Sequence, residues 1–281
     1  MRWLVVGLLV GLCDVLPSRA SSAPRGNGVG GPLMYDRIVI EDSFPSAFAE
    51  EDEFPHCLTV RVEYPVGGFP ASADPAAVAA FMGAVLTEGV VTGQTVEVAI
   101  DELRRNFRKE QEEEDAAAHE KGESRSSRSD FCRGQMLFMD ERYLSYQNCY
   151  QHGCSCGMGM VLGVFDFVRN RALTSHDFIR PASRAAVCRL LRQQAVKDRN
   201  DADGGDSPDL PSYVPKGAWP ATLENFSVDA RGITWSYAAD SVYFCGKGSS
   251  ETLLSWAQLR PHLVSPDVVP ACARTAPRAG R

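Results

Sequence analysis

From Phe131 to Val168 the chain is patterned for β-structure, and this stretch limits the fold more than any other. Gly134–Met139 and Tyr143–Tyr150 read as two arms of a hairpin around Asp140-Glu141. Met158–Val168 (MGMVLGVFDFV) is apolar, β-branched and glycine-interrupted, so it extends as a strand rather than a helix. Between the second and third strands runs Gln147–Met160, QNCYQHGCSCGMGM, which holds three cysteines, one histidine and a G-x-S-x-G at Gly153–Gly157.

The remaining segments must pack on that unit. Arg37–Glu41 and Cys57–Tyr64 alternate apolar with polar residues and read as strands. Asp74-Pro75 supplies an N-cap and a proline at the first helical position, and Val78, Phe81, Met82 and Val85 follow at helical spacing. A second helix starts near Val96, with Val96, Ile100, Leu103 and Phe107 on one face, and ends in the acidic run Glu110–Asp115. That run reads as a solvated helix end grading into a disordered Glu120–Asp130, rather than as a docking site. Pro181–Val196 is a further helix, and Ser227–Val228, Ile233–Tyr237 and Glu251–Leu254 are closing strands. Asp198–Asp209 (DRNDADGGDSPD) invites a calcium reading. Its best register puts Arg199 and Leu210 where an EF-hand needs Asp and Glu, so a solvated loop is the better reading. The expected class is α+β, with antiparallel sheets, helices packed on one face, and two associated halves. The halves are 36–130 and 131–264, followed by a poorly ordered tail at 265–281.

The N-terminus points to export. Arg2 precedes the ten apolar residues Trp3–Leu12, Pro17 follows, and Ser18-Arg19-Ala20 offers small residues at the positions a signal peptidase reads. Residues 1–20 are therefore expected to be a signal peptide and 21–35 a flexible lead-in. No later run is long enough to span a bilayer, so no membrane span is expected after cleavage. Losing Arg2, Asp14 and Arg19, a net +1, takes the formal charge from −7 to −8. That balance argues against a nucleic-acid partner and is compatible with a cationic protein.

Eight of the nine cysteines survive cleavage, and an even number in an oxidising compartment reads first as disulfides. If Asp140-Glu141 is the hairpin loop, Cys132 faces Cys149 at disulfide distance. For Gln147–Met160 three chemistries compete. A serine hydrolase would use Ser155, with Asp166, Asp177 and His262 downstream, but a strand follows where a nucleophile elbow needs a helix. A zinc or copper(I) site would use Cys149, His152, Cys154 and Cys156, at a spacing more compressed than paired C-x-x-C. A thiol-redox site would use Cys154 and Cys156. A turn held by structural disulfides is the expected reading, with no metal or other cofactor.

The order of motifs resembles the RsiV-like ectodomain family, comprising lysozyme-binding anti-sigma factor ectodomains and the non-catalytic N-terminal region of some peptidoglycan deacetylases. Leu144-Ser145, Tyr150–Gly157, Phe165-Asp166-Phe167 and Leu173–Phe178 follow the family's central pattern in order. Asn225–Val228 with Gly232–Tyr237 resembles its later hairpin. Where that pattern carries a histidine this chain has Cys156, and where it carries a late tyrosine this chain has Cys245. The resemblance thus implies a bridge from Cys156, or its neighbour Cys154, to Cys245. It also implies an exported, non-catalytic envelope module, periplasmic or extracellular, that recognises lysozyme or peptidoglycan. Tyr150, His152 and Tyr243 are the candidate recognition residues. A cell-wall carbohydrate hydrolase is the competing class. His56, His119, His176 and His262 are scattered singly and read as surface or packed residues.

Overall fold

The computed structural model describes residues 33–44, 55–87, 93–123, 128–151, 159–209, 220, 222–237 and 250–274. The signal-peptide expectation at 1–20, most of the lead-in and residues 275–281 lie outside them.

The expected α+β architecture is observed, built on two sheets. Strands β1 (Met34–Phe44), β2 (His56–Gly67), β3 (Ser129–Met139), β4 (Tyr143–Gln151), β5 (Gly159–Asp166) and β6 (Arg171–Ala172) form one six-stranded sheet in that order. All neighbours are antiparallel except β2 and β3, which run parallel from Cys57 opposite Ser129 to Val62 opposite Gly134. A parallel pair needs a long crossover. Helices α1 (Pro75–Leu86) and α2 (Val96–Lys121) supply it. One sheet therefore runs continuously through both of the expected halves.

Each face of the large sheet carries its own core. On the first, Leu58, Val60, Val62 and Tyr64 of β2, with Leu144, Tyr146 and Phe165, pack under Val78, Phe81 and Met82 of α1 and Ile100 and Phe107 of α2. The N-cap expected at Asp74 is present, its Oδ1 accepting from the N–H of Ala76 at 2.9 Å. On the second face, Tyr143 and Val164 meet a three-stranded meander of β7 (Phe226–Val228), β8 (Gly232–Tyr237) and β9 (Ser250–Ser255). Helix α3 (Arg184–Asp203) closes that side with Val187, Leu191 and Ala195. Two side chains tie the meander to the sheet. Ser145 Oγ donates to Val228 O at 2.7 Å and accepts from Val228 N at 3.0 Å. Asn225 Oδ1 accepts from Leu162 N at 2.6 Å while its Nδ2 donates to Met160 O at 2.8 Å, occupying the edge of β5 as a paired strand would.

Four expectations need correction. Helix α2 does not fade at Glu110–Asp115; it runs to Lys121, and Asp115 is buried. Its Oδ2 lies 3.0 Å from His56 Nε2, so a tertiary partner rather than solvent receives this part of the acidic run. The segment 198–209 is not all loop, because α3 continues to Asp203 and stops at Gly204, whose φ of 66° suits glycine. The tail beyond Ser265 is ordered through Arg274, with Val268 inserted in the second core and Asp267 O accepting from Arg142.

The hairpin register is the fourth. Asp140 Oδ1 accepts from the N–H groups of Arg142 and Tyr143 at 2.8 and 2.7 Å, so the loop is Glu141-Arg142 rather than Asp140-Glu141. That loop alone would shift the expected pairing by two residues, and a bulge at Leu137, between Met136 and Phe138, takes one of them back. Cys132 therefore faces Tyr150, and Cys149 faces Arg133. A one-residue slip turns a side chain to the other face of a sheet. Cys132 and Cys149 point to opposite faces, and the expected bond between them is not formed. Among the described residues no helix is long and apolar enough to cross a membrane.

Candidate binding cleft

Of the three recognition residues expected, Tyr150 is described, and it lines a cleft of about 290 Å³ between α2 and the β2–β3–β4 surface. His152 and Tyr243 lie outside the described residues, as do Cys154, Ser155, Cys156 and Cys245. Tyr150 is half-buried near the end of β4, opposite Cys132 on one side and Gly159 on the other. Its ring lies over Gly159 so closely that a Cβ there would come within 2.2 Å of Cζ. Glycine at that position is what seats the ring.

The cleft floor is a buried polar knot. Asn148, 1% exposed, donates from Nδ2 to Leu86 O at 3.0 Å and accepts at Oδ1 from the Cys132 thiol at 3.1 Å. One amide thus satisfies a carbonyl left over at the end of α1 and fixes Cys132 beneath the cleft. One wall is α2, where Leu103 and Phe107 sit low while Glu102, Asn106 and Glu110 recur every four residues. Phe131 and Asp130 of β3 stand opposite. Arg128 holds Asp130 in a two-point ion pair, Nε to Oδ1 at 2.8 Å and Nη2 to Oδ2 at 3.0 Å. Asp130 is thereby neutralised; on the α2 wall Glu102 pairs with Arg105 at 3.8 Å, and Glu110 is the other carboxylate of the lining. The volume lies at or below the ~300–1,000 Å³ usual for small-molecule pockets. It accommodates one or two side chains of a partner rather than a long saccharide.

The carboxylates weighed for catalysis have other occupations. Asp166, fully buried, accepts from Val168 N at 2.8 Å and Arg169 N at 3.0 Å and receives Arg142 Nε at 3.3 Å. Asp177 completes a capping box with Thr174 and pairs with Arg169 and Arg171. Partial burial alone would raise the Asp177 carboxyl; the hydrogen bonds from Arg171 and Thr174 outweigh it and hold the group below its ordinary value. These are strand-end and turn-capping roles. His56 is buried, with its Nδ1 accepting from Arg128 N at 3.2 Å and its Nε2 against Asp115. Because a backbone N–H only donates, Nε2 carries the proton in this arrangement. Neither ring nitrogen is left for proton transfer. His119 and His176 are exposed and His262 is half-buried.

Cys149 lies on the face opposite Tyr150, where burial first and Glu251 second push its thiol up to about 11. At neutral pH it is a thiol, whereas metal ligation and nucleophilic attack use the thiolate. Among the described residues no three His, Cys, Asp or Glu side chains gather as a metal site. Sequence patterning placed Leu103 and Phe107 on the inward face of α2 but missed Glu102, Asn106 and Glu110 as a wall. Their four-residue recurrence was the available signal; the strands facing them were not foreseeable from α2 itself.

No family model and no curated protein sequence matches the chain. Solved structures do. A DUF3298 family member from Bacteroides fragilis superposes with a TM-score of 0.64 at 19% identity, over 85% of this chain and 97% of that one. A DUF3298 family protein from Pseudomonas aeruginosa superposes with a TM-score of 0.55 at 15% identity, over 86% and 99% of the two chains. The chain has the fold of these DUF3298 proteins across nearly their whole length.

Proposed function

We propose that this protein is an exported, non-catalytic binding module of the cell envelope, acting in the periplasm or outside the cell. Its partner is a basic protein, lysozyme foremost, received at the cleft between α2 and β3–β4. The observation that carries this reading is the cleft itself. A half-buried Tyr150 lines it beside an apolar and amide floor, with Glu102 and Glu110 along the rim. Aromatic anchors set in pockets and ringed by charge are what tight protein interfaces use.

Three further points support it. The formal charge of −7 favours a cationic partner. The carboxylates considered for hydrolysis, Asp166 and Asp177, are committed to backbone and arginine contacts. The motif order around Tyr150 resembles lysozyme-binding ectodomains.

The test is binding of a c-type lysozyme to the wild-type protein and to Tyr150→Ala, Gly159→Ala and the double variant Glu102→Lys/Glu110→Lys. Tyr150→Ala should weaken binding by about 30-fold or more, the loss of a ~2 kcal/mol aromatic anchor. Gly159→Ala should follow it, because the added methyl evicts the ring. The charge reversal should weaken binding most at low salt. Unchanged affinity in all three variants removes the cleft as the site. Binding of peptidoglycan fragments in place of lysozyme would reassign the ligand.

A further inference from the structure

Strand β1 is an outer edge of the large sheet, and among the described residues nothing pairs with its far side. It is eleven residues long, MYDRIVIEDSF, and none of them is buried. Long open edges are unusual in proteins that stay monomeric, which blunt them with charged side chains (lysine above all), proline, bulges or brevity; the charges β1 does carry, Asp36, Arg37, Glu41 and Asp42, are of both signs. β1 has no lysine and no proline, and its one irregularity falls at its end, between Met34 and Tyr35. Met34, Tyr35 and Val39 are exposed apolar residues along it, Val39 at 48%.

The sequence of β1 is self-complementary. Antiparallel pairing of two copies about a two-fold axis at Val39 matches all eleven residues, Met34 against Phe44 through Phe44 against Met34. It sets Arg37 opposite Glu41 of the second copy, twice, and Ile38 opposite Ile40 of the second copy, twice. Ile38 and Ile40 already pack at the rim of the core under α1 and α2, so the pairing would continue that layer across the join. On the other face, Arg37 lies opposite Glu63 of β2 within its own chain. The rows then read Glu63, Arg37 and Glu41 of the second copy, with signs alternating as cross-strand pairs require. The one like-charge match, Asp36 against Asp42 of the second copy, falls where Arg104 and Arg108 already hold Asp42 at 3.2 and 3.0 Å. Two arginines and two aspartates balance there.

We infer that the protein forms a symmetric dimer by antiparallel pairing of β1 with β1 of a second copy, joining two six-stranded sheets into one. The pairing forms about one backbone hydrogen bond per residue matched. This assembly is separate from the proposed binding cleft and does not depend on its ligand.

Sedimentation or light scattering over a range of concentrations, on the purified wild-type protein and on charge variants, tests the inference. Wild type should give the two-chain mass. Arg37→Glu alone and Glu41→Arg alone should each give the one-chain mass, since each sets like charges across both ends of the join. Mixed in equal amounts, the two variants should recover the two-chain mass, because every crossing pair is then opposite in sign. That recovery also shows that neither variant has misfolded. Val39→Cys should form a covalent dimer on oxidation, as residues on the axis lie within disulfide reach. A one-chain mass for the wild type at every concentration overturns the inference. So does a two-chain mass that survives both single substitutions.

Discussion

Asn225 grips Leu162 from across the two sheets. Its Oδ1 accepts the Leu162 N–H at 2.6 Å, and its Nδ2 reaches both Met160 O at 2.8 Å and Ser236 O at 3.0 Å. A single amide thus serves the exposed edge of β5 and the β8 strand of the meander. Asn225→Ala should cost about 2–3 kcal/mol, because buried backbone groups left without partners cost roughly 1–3 kcal/mol each. Asn225→Asp keeps the acceptor but loses the donor, and should be destabilised as well. Urea unfolding with an unchanged denaturant slope reads both; a loss under ~0.5 kcal/mol for the alanine variant would contradict the role.

His56 and Asp115 tie the start of β2 to the C-terminal third of α2 at 3.0 Å. With Nδ1 accepting from Arg128 N, the imidazole is neutral and Asp115 serves as a hydrogen-bond acceptor. Asp115→Asn retains an acceptor oxygen and should cost under about 1 kcal/mol, whereas Asp115→Ala should cost about 1–3 kcal/mol. Equal, large losses of about 3–5 kcal/mol in both variants would instead indicate a charged pair. Chemical denaturation at neutral pH distinguishes them.

Cys132 and Cys149 are on opposite faces of β3–β4. Alkylation of the native protein without reductant should leave both unmodified, Cys132 for burial and Cys149 for burial and a thiol raised to about 11. Denaturation, again without reductant, should label both. If either stayed unlabelled until reductant was added, it would be bridged.

The Asp177 carboxyl titrates below its ordinary value in the folded protein because Arg171 and Thr174 outweigh the effect of partial burial. A depressed folded value contributes stability that is fully present above the unfolded value and is lost as pH falls through the folded one. Wild type should therefore exceed Asp177→Asn in stability at neutral pH. The gap should close as the pH drops through and below the ordinary carboxylate range. A gap independent of pH would mean that the capping geometry, not the charge, is what matters.

Periodicity revealed most of the fold. The alternation in 37–41 and 57–64, the 3–4 spacing after Asp74-Pro75 and the glycine-interrupted run to Val168 each became the expected element. What patterning missed was set by tertiary partners. Asp115 looks like one acid in a solvated run until His56 is placed beside it. The bulge at Leu137 leaves no local mark, yet it decides which face Cys132 occupies relative to Cys149. For the cleft, Tyr150 was legible from its motif and Phe107 from its helix face. Glu102 and Glu110 acquired meaning only once β3 and β4 were set opposite α2.

The most direct measurement is calorimetric titration of the purified protein with a basic c-type lysozyme at low and at moderate salt. Recognition through an acidic cleft gives saturable binding, one lysozyme per chain, with affinity falling as salt screens the rim carboxylates. Absence of heat at both salt concentrations would contradict lysozyme recognition.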